Sequence, residues 1–338
     1  MKKLLIWDGD NSLWDGVLVE GSVPQLPDGR YELCEELSRR GVIQSLASYN
    51  LQKDVELALH LLNLDRFFLV PKASFGSHKS NMIQSIMGEL NIAKPEDVVF
   101  VDDEPFNLAE VKEAIPGIRC MLPKDFYLEA DGLFSKESYT DEDTKRVAMY
   151  RSELVRKEAG KAFGGDHIAF LRNCDMHMAV FEPSPADMDR IRDLVGRAHK
   201  LSAVMFKSPE SGLELLQNGL SLVAIRAWDK FGAYGLSGVL GFQGNIIKLL
   251  VISCRLQGKG YGSTLLGWWI NRMGQDVGAE WIETEYNSGI RALYEWYKFS
   301  IINSGNSIKA NRKFAEAVEL PDWIEVIDET ASRGNTLL

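Results

Sequence analysis

Residues 4–14 read LLIWDGDNSLW, and this stretch decides the fold of the first part of the chain. The four apolar residues 4–7 are typical of a strand buried on both faces, which occurs in parallel sheets covered by helices. The chain turns polar directly afterwards, at Asp8 and Asp10. Ligands of open α/β sheets bind at the carboxyl ends of the strands, and a cation such as Mg²⁺ relieves the repulsion between neighbouring carboxylates. A solvated loop would give the same Asp-x-Asp pattern, so the interpretation depends on the rest of the chain.

The composition is that of a globular protein, with 45% hydrophobic and 25% charged residues, and a length of 338 residues predicts two domains. The formal net charge of −10 argues against binding to nucleic acids or to anionic membranes. The N-terminal apolar run is too short for a signal peptide and no stretch has the length of a membrane span, so we expect a cytoplasmic protein. No Cys-x-x-Cys pair indicates a zinc site or a disulfide framework among the four cysteines Cys34, Cys120, Cys174 and Cys254.

The first 124 residues alternate between strand and helix patterns. Apolar runs predict strands at residues 4–7, 42–47, 67–70, 98–101 and 117–122. Helical spacing of apolar residues predicts helices at 28–40, 52–62, 79–90 and 107–114. This alternation predicts a doubly wound parallel sheet, of class α/β, in a domain of residues 1–124.

Polar residues follow strand ends or open helices at three further places in this domain, which are Ser48, Lys79 and the pair Asp102–Asp103. Phosphoryl transfer uses a carboxylate nucleophile, a second carboxyl group as acid and base, and carboxylates that bind Mg²⁺. It also needs a hydroxyl and a cation for the phosphate oxygens. Each of these residues alone is more often structural, but their combination at strand ends favours a phosphoryl-transfer site.

The order of these residues resembles that of the haloacid dehalogenase-like (HAD-like) phosphohydrolases. The resemblance implies that Asp8 is the nucleophile and Asp10 the general acid and base. It assigns three residues to the phosphate, namely Ser48, Asn50 and Lys79. It assigns four carboxylates to a Mg²⁺ site, namely Asp8, Asp10, Asp102 and Asp103. Because no long insertion interrupts the domain, the site is expected to be capless and open to a large partner.

Three longer stretches are similar to the FkbH-like branch of these proteins: WDGDNSLWDG at 7–16, SLASYN at 45–50 and FVDDEPFN at 100–107. Members take a glyceryl unit from 1,3-bisphosphoglycerate, remove phosphate and load the unit onto an acyl carrier protein for polyketide assembly. The resemblance implies the same activity here. Three positions depart from the pattern: Ser12 replaces Thr, Tyr49 replaces Lys, and Gly9 stands where other members have Cys or Leu. A thiol at position 9 is therefore excluded.

Residues 125–175 are predicted to form a helical connector, and residues 176–338 a second domain. Strands are predicted at 176–181, 222–228, 234–242, 246–251 and 281–284, with an amphipathic helix at 186–201. The turn QGKGYG at 257–262 follows a strand and precedes a helix expected from Ser263, a placement that suits a phosphate group.

This second pattern resembles the GCN5-related N-acetyltransferase (GNAT) fold, of class α+β. The resemblance implies that the turn binds the pyrophosphate of coenzyme A, or the phosphodiester of the phosphopantetheine arm of a carrier protein, through Gln257, Gly258, Gly260 and Gly262. It also implies that the arm lies between two splayed strands.

A thiol must carry the glyceryl unit if a thioester forms on the protein, because a thiolate attacks an acyl phosphate and later leaves to another thiol. Cys254 is the favoured candidate because it ends a predicted strand beside the Gly-rich turn, near Arg255 and Lys259. Packing explains such a cysteine equally well, and Cys120 is the reserve candidate. His199 is a candidate general base, although a structural helix histidine is the simpler interpretation.

Three other functions agree with the sequence. The first is a small-molecule phosphatase whose second domain only docks a partner. The second is an acyltransferase that uses coenzyme A and has a vestigial first domain, and the third is a carrier-protein binding module. An acidic carrier protein would need a local basic patch, for which Lys200, Lys207 and Lys259 are candidates.

Overall fold

A computed structural model describes residues 3–135, 139, 141–197, 202–204, 220–284, 287–304 and 307–330. The chain divides into two compact units, Met1–Leu154 and Val155–Leu338. Among the described helices, none combines the length and the apolar character that crossing a membrane requires. Each unit has its own sheet.

The sheet of the first unit has five strands, all paired in parallel, in the order β3-β2-β1-β4-β5. They are β1 (Leu4–Trp7), β2 (Ile43–Ser48), β3 (Lys72–Ala73), β4 (Val98–Val101) and β5 (Arg119–Met121). The central strand β1 is buried throughout, and its side chains alternate between two cores: Leu5 and Trp7 belong to one, Leu4 and Ile6 to the other. The predicted doubly wound parallel sheet is confirmed.

Helices cover both faces of this sheet. They are α1 (Arg30–Arg39), α2 (Gln52–Leu61), α3 (Lys79–Glu89), α4 (Pro105–Ala114) and α5 (Pro123–Phe134). The core that contains Trp7 takes residues from α1, α2 and α5, whereas the core that contains Ile6 takes residues from α3 and α4. Because all five strands run the same way, the loops that follow β1, β2 and β4 lie at one edge of the sheet.

One strand prediction in the first half is wrong, and one helix has no predicted bounds. Residues 67–70 do not form the third strand: Phe68 makes only an isolated bridge to Gln44, and the paired residues of β3 begin at Lys72. Helix α5 lies almost entirely in the segment predicted as a helical connector, where the polar and acidic sequence predicts no bounds for a helix. Its buried residues are nevertheless spaced by four, at Phe126, Ala130 and Phe134, and they complete the core around Trp7.

The segment predicted as a connector contains α5 and three further helices, α6 (Asp141–Thr144), α7 (Arg146–Ala162) and α8 (His167–Arg172). Helices α5 and α6 belong to the first unit and α8 to the second, while α7 begins in one and ends in the other. The contacts thus divide the chain into two units after Leu154, whereas the sequence analysis predicts three parts.

The second unit has a mixed sheet in the order β12-β13-β11-β10-β9-β8-β6-β14, with β7 beside β10. The strands are β6 (Met176–Phe181), β7 (Ser202–Val204), β8 (Ser221–Asp229), β9 (Gly232–Gln243), β10 (Ile246–Ile252), β11 (Val277–Trp281), β12 (Ser300–Ser304), β13 (Ser307–Arg312) and β14 (Ile324–Asp328). The hairpin predicted between residues 234 and 251 is confirmed as β9 and β10. The strand predicted at 281–284 lies earlier, as β11.

Three helices complete this unit: α9 (Met188–Arg197), α10 (Tyr261–Met273) and α11 (Gly289–Trp296). The side chains of β10 alternate between two cores, so that Leu250 packs with residues of α10 and α11 and Val251 packs with residues of α9. The sheet is therefore covered on both faces, and the predicted α+β class of the second half is confirmed.

Candidate active site

Three carboxylates meet at the edge of the first sheet. Asp8 follows β1 and Asp102 follows β4, and the two strands are paired so that Trp7 lies opposite Val101. One oxygen each from Asp8, Asp102 and Asp103 lies within 4.8 Å of the others. Asp8 and Asp102 are buried and Asp103 is half-buried. A group of carboxylate oxygens at this spacing fits a hard divalent cation such as Mg²⁺.

Lys79, the first residue of α3, extends its side chain to the three carboxylates and is 1% exposed. Its ammonium donates to Asp8 Oδ1, lies 3.3 Å from Asp102 Oδ2, and donates to the carbonyl of Ala47 at 2.8 Å. Lys79 thus makes two hydrogen bonds and a further ion pair within the cluster. Lys79 is predicted to hold phosphate, and in this structure its ammonium is paired with two of the three carboxylates.

The cluster is electrostatically costly without a cation. Burial raises the pKa of Asp8 to about 7; the positive charge of Lys79 opposes this rise and the negative charge of Asp102 adds to it. Burial and the charge of Asp102 also raise the pKa of Asp103. A cation bound between these groups would favour their ionised forms.

Asp10 is not a member of the carboxylate group, contrary to its predicted role as a metal ligand. Its Oδ1 accepts hydrogen bonds from Trp14 Nε1 at 3.0 Å and from the Leu18 amide at 3.3 Å. Its Oδ2 accepts from Asn50 Nδ2 at 2.9 Å, and the same nitrogen lies 3.0 Å from Ser48 Oγ. Asn50 therefore connects the predicted acid and base to the predicted phosphate-binding hydroxyl.

Three residues that the sequence analysis did not assign support this site. Ser12 Oγ accepts a hydrogen bond from the Asp103 amide at 2.9 Å and lies 3.2 Å from Asp103 Oδ1. Asn107 Nδ2 lies 3.1 Å from both carboxylate oxygens of Asp102. The FVDDEPFN stretch contains Asn107, and its place in the first turn of the helix after the aspartates is a signal that could have identified it.

Arg30 is the third of these residues and is buried. Its guanidinium donates to the carbonyls of Ser12 and, at 2.7 Å, of Leu13. It also lies 4.5 Å from the ring centroid of Tyr127 and 5.4 Å from that of Trp7. Arg30 thereby fixes the loop after β1, and an arginine at the start of an ordinary helix gives no sequence signal for such a role.

In the second unit the Gly-rich turn lies where it was predicted, after β10 and directly before α10, which begins two residues earlier than expected. Gly258 and Gly260 have φ values of 71° and 95°. A Cβ on Gly260 would lie 3.0 Å from Nε1 of Trp323, whose indole donates to the Lys259 carbonyl at 2.9 Å. The turn that carries Gln257 and ends at Gly262 is thus held tightly, and the start of α10 suits an anion.

The edge of β10 next to this turn is only partly open. β10 pairs in parallel with β11 through Ile246 and Ile247 alone, so these two strands diverge as the splayed-strand expectation requires. Beyond that point, residues 249–251 of β10 pair with β7 of the same chain. The Gly-rich turn therefore lies at a helix N-terminus, which attracts anions, and the strand edge beside it is paired with β7.

Cys254 opens a single turn of 3₁₀ helix between β10 and the Gly-rich turn and is half-buried. The nearby cations have backbone partners: Arg255 donates to the Tyr234 carbonyl at 3.2 Å and Lys259 to the Arg255 carbonyl at 2.5 Å. Burial raises the pKa of the reserve candidate Cys120 to about 11 and that of Cys34 to about 12, which disfavours their thiolates. His199, Lys200 and Lys207 lie outside the described residues.

No family model matches the sequence, and no curated protein is similar to it. Several solved structures are. The N-terminal part of a Bacteroides fragilis protein, containing a phosphatase domain and solved with Mg, is 29% identical with a TM-score of 0.35; the match covers 41% of this chain and 42% of that one. A HAD-superfamily hydrolase from Ehrlichia chaffeensis is 16% identical, with a TM-score of 0.34 and coverage of 40% and 100%. A Desulfovibrio desulfuricans protein assigned to the GNAT family of acetyltransferases is 16% identical, with a TM-score of 0.32 and coverage of 41% and 99%.

Proposed function

We propose that the first unit is a Mg²⁺-dependent phosphatase in which Asp8 is the nucleophile. The observation that carries this proposal is the convergence of Asp8, Asp102 and Asp103 within 4.8 Å, with Lys79 between the first two. These residues come from three separate parts of the sequence, and a structural role alone gives no reason to bury so many carboxylates together. Mg²⁺ held by the three carboxylates would neutralise the charge on the transferred phosphoryl group.

In this mechanism an oxygen of Asp8 attacks phosphorus, the bond from phosphorus to the leaving oxygen breaks, and Asp10 donates a proton to that oxygen. Asp10 then takes a proton from the water that hydrolyses the aspartyl phosphate, which releases inorganic phosphate and restores Asp8. Ser48 Oγ, held by Asn50, is a hydrogen-bond donor for the phosphoryl oxygens.

We further propose that the substrate is 1,3-bisphosphoglycerate, that the second unit passes its acyl group to an acyl carrier protein, and that the first unit hydrolyses the remaining 3-phosphate to leave a glyceryl unit. The thiolate of Cys254 would attack the acyl carbon, the bond to the phosphate oxygen would break, and the thiol of the carrier arm would then displace Cys254. An acyl phosphate is already activated, so this transfer consumes no ATP. The position of Cys254 beside the Gly-rich turn supports this assignment.

A second candidate is a phosphatase of another small phosphate ester, with the second unit serving only to dock a partner. The pairing of β7 with β10 favours it, because the strand edge that a thioester arm would follow is already paired. An acyltransferase that uses coenzyme A, with no role for the first unit, is disfavoured by the completeness of the carboxylate site.

The test is to incubate the protein with 1,3-bisphosphoglycerate or a simple phosphate ester, with and without Mg²⁺ and holo carrier protein. Released phosphate and the intact masses of both proteins are measured. From the simple phosphate ester we expect Mg²⁺-dependent phosphate release that Asp8→Asn abolishes and that Asp125→Asn, at an exposed position of α5, leaves unchanged. A glyceryl mass on the carrier protein that is absent with Cys254→Ala supports the transferase. Phosphate release without any acyl mass on either protein identifies a plain phosphatase. Full phosphate release from the phosphate ester by Asp8→Asn refutes the transferase and the phosphatase proposals alike.

A further inference from the structure

Gly9, the residue between the two aspartates, lies against the indole ring of Trp14. A Cβ added to Gly9 would be 2.7 Å from Trp14 Cζ2, 3.0 Å from Trp14 Cη2 and 3.1 Å from Ser48 Oγ. Trp14 is completely buried. Gly9 does not have a positive φ, so glycine is needed here for space and not for backbone conformation. The indole ring fills the volume that any side chain at position 9 would require.

The loop after β1 is wound so that Trp14 returns to this position. The amides of Ser12, Leu13 and Trp14 all point to the Gly9 carbonyl, at 3.3, 2.9 and 3.2 Å. Asn11 takes the left-handed conformation, with φ of 54°, which asparagine tolerates better than most residues. The turn places one side of the indole on Gly9 and directs its Nε1 to Asp10 Oδ1, at 3.0 Å.

We propose that Trp14 is a positioning residue that orients the carboxylate of Asp10 for proton transfer, and that Gly9 is required because it leaves room for the indole. The inference rests on the proposed function, in which Asp10 is the acid and base. The indole nitrogen of Trp14 can only donate a hydrogen bond, and it donates to Oδ1 of Asp10. The side-chain amide of Asn50 donates to the other oxygen, Oδ2. Together with the Leu18 amide, which also donates to Oδ1 at 3.3 Å, these two side-chain donors hold both oxygens of the carboxylate, and small errors in the orientation of a catalytic group are costly.

The inference explains why a thiol cannot occupy position 9 in this chain. The Cβ of a cysteine would meet the same two ring atoms of Trp14, and moving the ring would remove the donor from Asp10. A covalent acyl carrier next to Asp8 is therefore incompatible with the present orientation of Asp10.

Trp14→Phe is the first test, because it keeps an aromatic ring in the core and removes the Nε1 donor. We expect the kcat for phosphate release to fall about tenfold while the KM stays within about twofold, since orientation of the acid affects turnover more than binding. The matched control is Trp268→Phe, which removes an indole that donates to Asp328 Oδ2 at 3.1 Å in the second unit. Wild-type turnover in Trp14→Phe would refute the inference, and so would an equal loss in both variants.

A double-mutant cycle tests the role of Gly9. A phenyl ring lacks Cζ2 and Cη2, the two atoms that a Cβ on Gly9 would meet. Gly9→Ala should therefore reduce kcat about tenfold or more in the wild-type background and much less in the Trp14→Phe background, since residues in contact are not additive. Strictly additive losses would show that Gly9 matters for another reason.

A measurement without turnover separates this inference from the proposed function. The indole N–H resonance of Trp14, assigned by its loss in Trp14→Phe, should shift in Asp10→Ala, because the hydrogen bond to the carboxylate is lost. An unmoved resonance refutes the positioning of Asp10 even in an active enzyme. If the wild-type protein releases no phosphate from any substrate, the proposed function fails, and the resonance still decides whether the indole binds Asp10.

Discussion

In the first unit, groups that are distant in the sequence meet at one sheet edge: Asp8 follows β1, Asp102 follows β4, and Lys79 begins a helix between them. In the second unit the predicted groups are close in sequence, from Cys254 to Gly262, and they occupy one turn. The first site is built by long-range contacts, which bring three carboxylates and Lys79 together. The second consists of a well-formed turn beside a strand edge that the chain itself occupies through β7. Convergence from remote positions is the stronger indication of function, since local sequence preferences cannot produce it.

The largest expected effect concerns Lys79→Met, which removes the cation from the carboxylate cluster. Leaving buried carboxylates unpaired is expected to lower the free energy of unfolding by about 3–5 kcal/mol in the absence of Mg²⁺ and to reduce phosphate release about 100-fold or more. Urea denaturation and a phosphate-release assay measure the two losses. The control is Lys3→Met, which breaks a partly exposed pair with Asp97 and should cost less than about 1 kcal/mol. Equal losses in the two variants would mean that the cluster is an ordinary ion pair.

The pH dependence of stability should distinguish the cluster from ordinary surface carboxylates. Burial raises the pKa of Asp8 from 3.8 to about 7, so the folded protein keeps a proton that the unfolded chain releases over this range. The free energy of unfolding without Mg²⁺ should therefore fall with rising pH from about 4 to about 7, by at most about 1.4 kcal/mol per pH unit, and then level off.

Because Mg²⁺ replaces the proton, its stabilising effect should grow over the same range. Urea titrations at several pH values, with and without Mg²⁺, measure both trends. Asp8→Asn should remove most of the slope; a slope that persists in this variant would assign the effect to another group.

The sequence predicted the fold well where the apolar pattern was strong. The fully apolar strands 4–7 and 98–101 have the bounds predicted, because a strand buried on both faces has a continuous apolar run. The run at 67–70 is also apolar and its first three residues are buried, but Val70 is half-buried with a φ of 46°, and the paired residues of β3 come later. Burial of a short apolar run therefore does not establish strand pairing.

The sequence predicted most of the residues that meet at the candidate site, but it did not predict the orientation of their side chains. Strand ends identified Asp8, Ser48 and Asp102, since parallel topology alone brings them to one edge. The orientation of Asp10 away from the other carboxylates could not be predicted, because it depends on Trp14 and Asn50 as hydrogen-bond donors. The role of Arg30 could not be predicted either, because it depends on stacking with Tyr127 in helix α5, whose bounds the sequence does not predict.

Gly260→Ala tests how tightly the turn of the second unit is built. The residue has a φ of 95°, and the new Cβ would lie 3.0 Å from Trp323 Nε1, so we expect a loss of about 1–3 kcal/mol in stability and weaker binding of coenzyme A or holo carrier protein. Gly274→Ala is the matched control: Gly274 ends the same helix with a φ of 57°, and its Cβ would meet nothing within 4 Å. Thermal unfolding and calorimetric titration measure the effects. Comparable binding losses in the two variants would show that the turn does not contact the ligand.

The smallest expected effect concerns β7, and it tests whether the second site is blocked. If the arm follows the edge of β10 at residues 249–251, it competes with β7, which pairs there now. Ala203→Pro weakens β7, since proline cannot donate to a strand ladder, and should increase the affinity for coenzyme A or holo carrier protein about threefold to tenfold by raising the fraction of open edge. The control is Ile302→Pro in β12, the terminal strand of the same sheet, which should leave the affinity unchanged. An unchanged affinity in Ala203→Pro would mean that the arm does not use this edge, which favours a docking role for the second unit over thioester transfer.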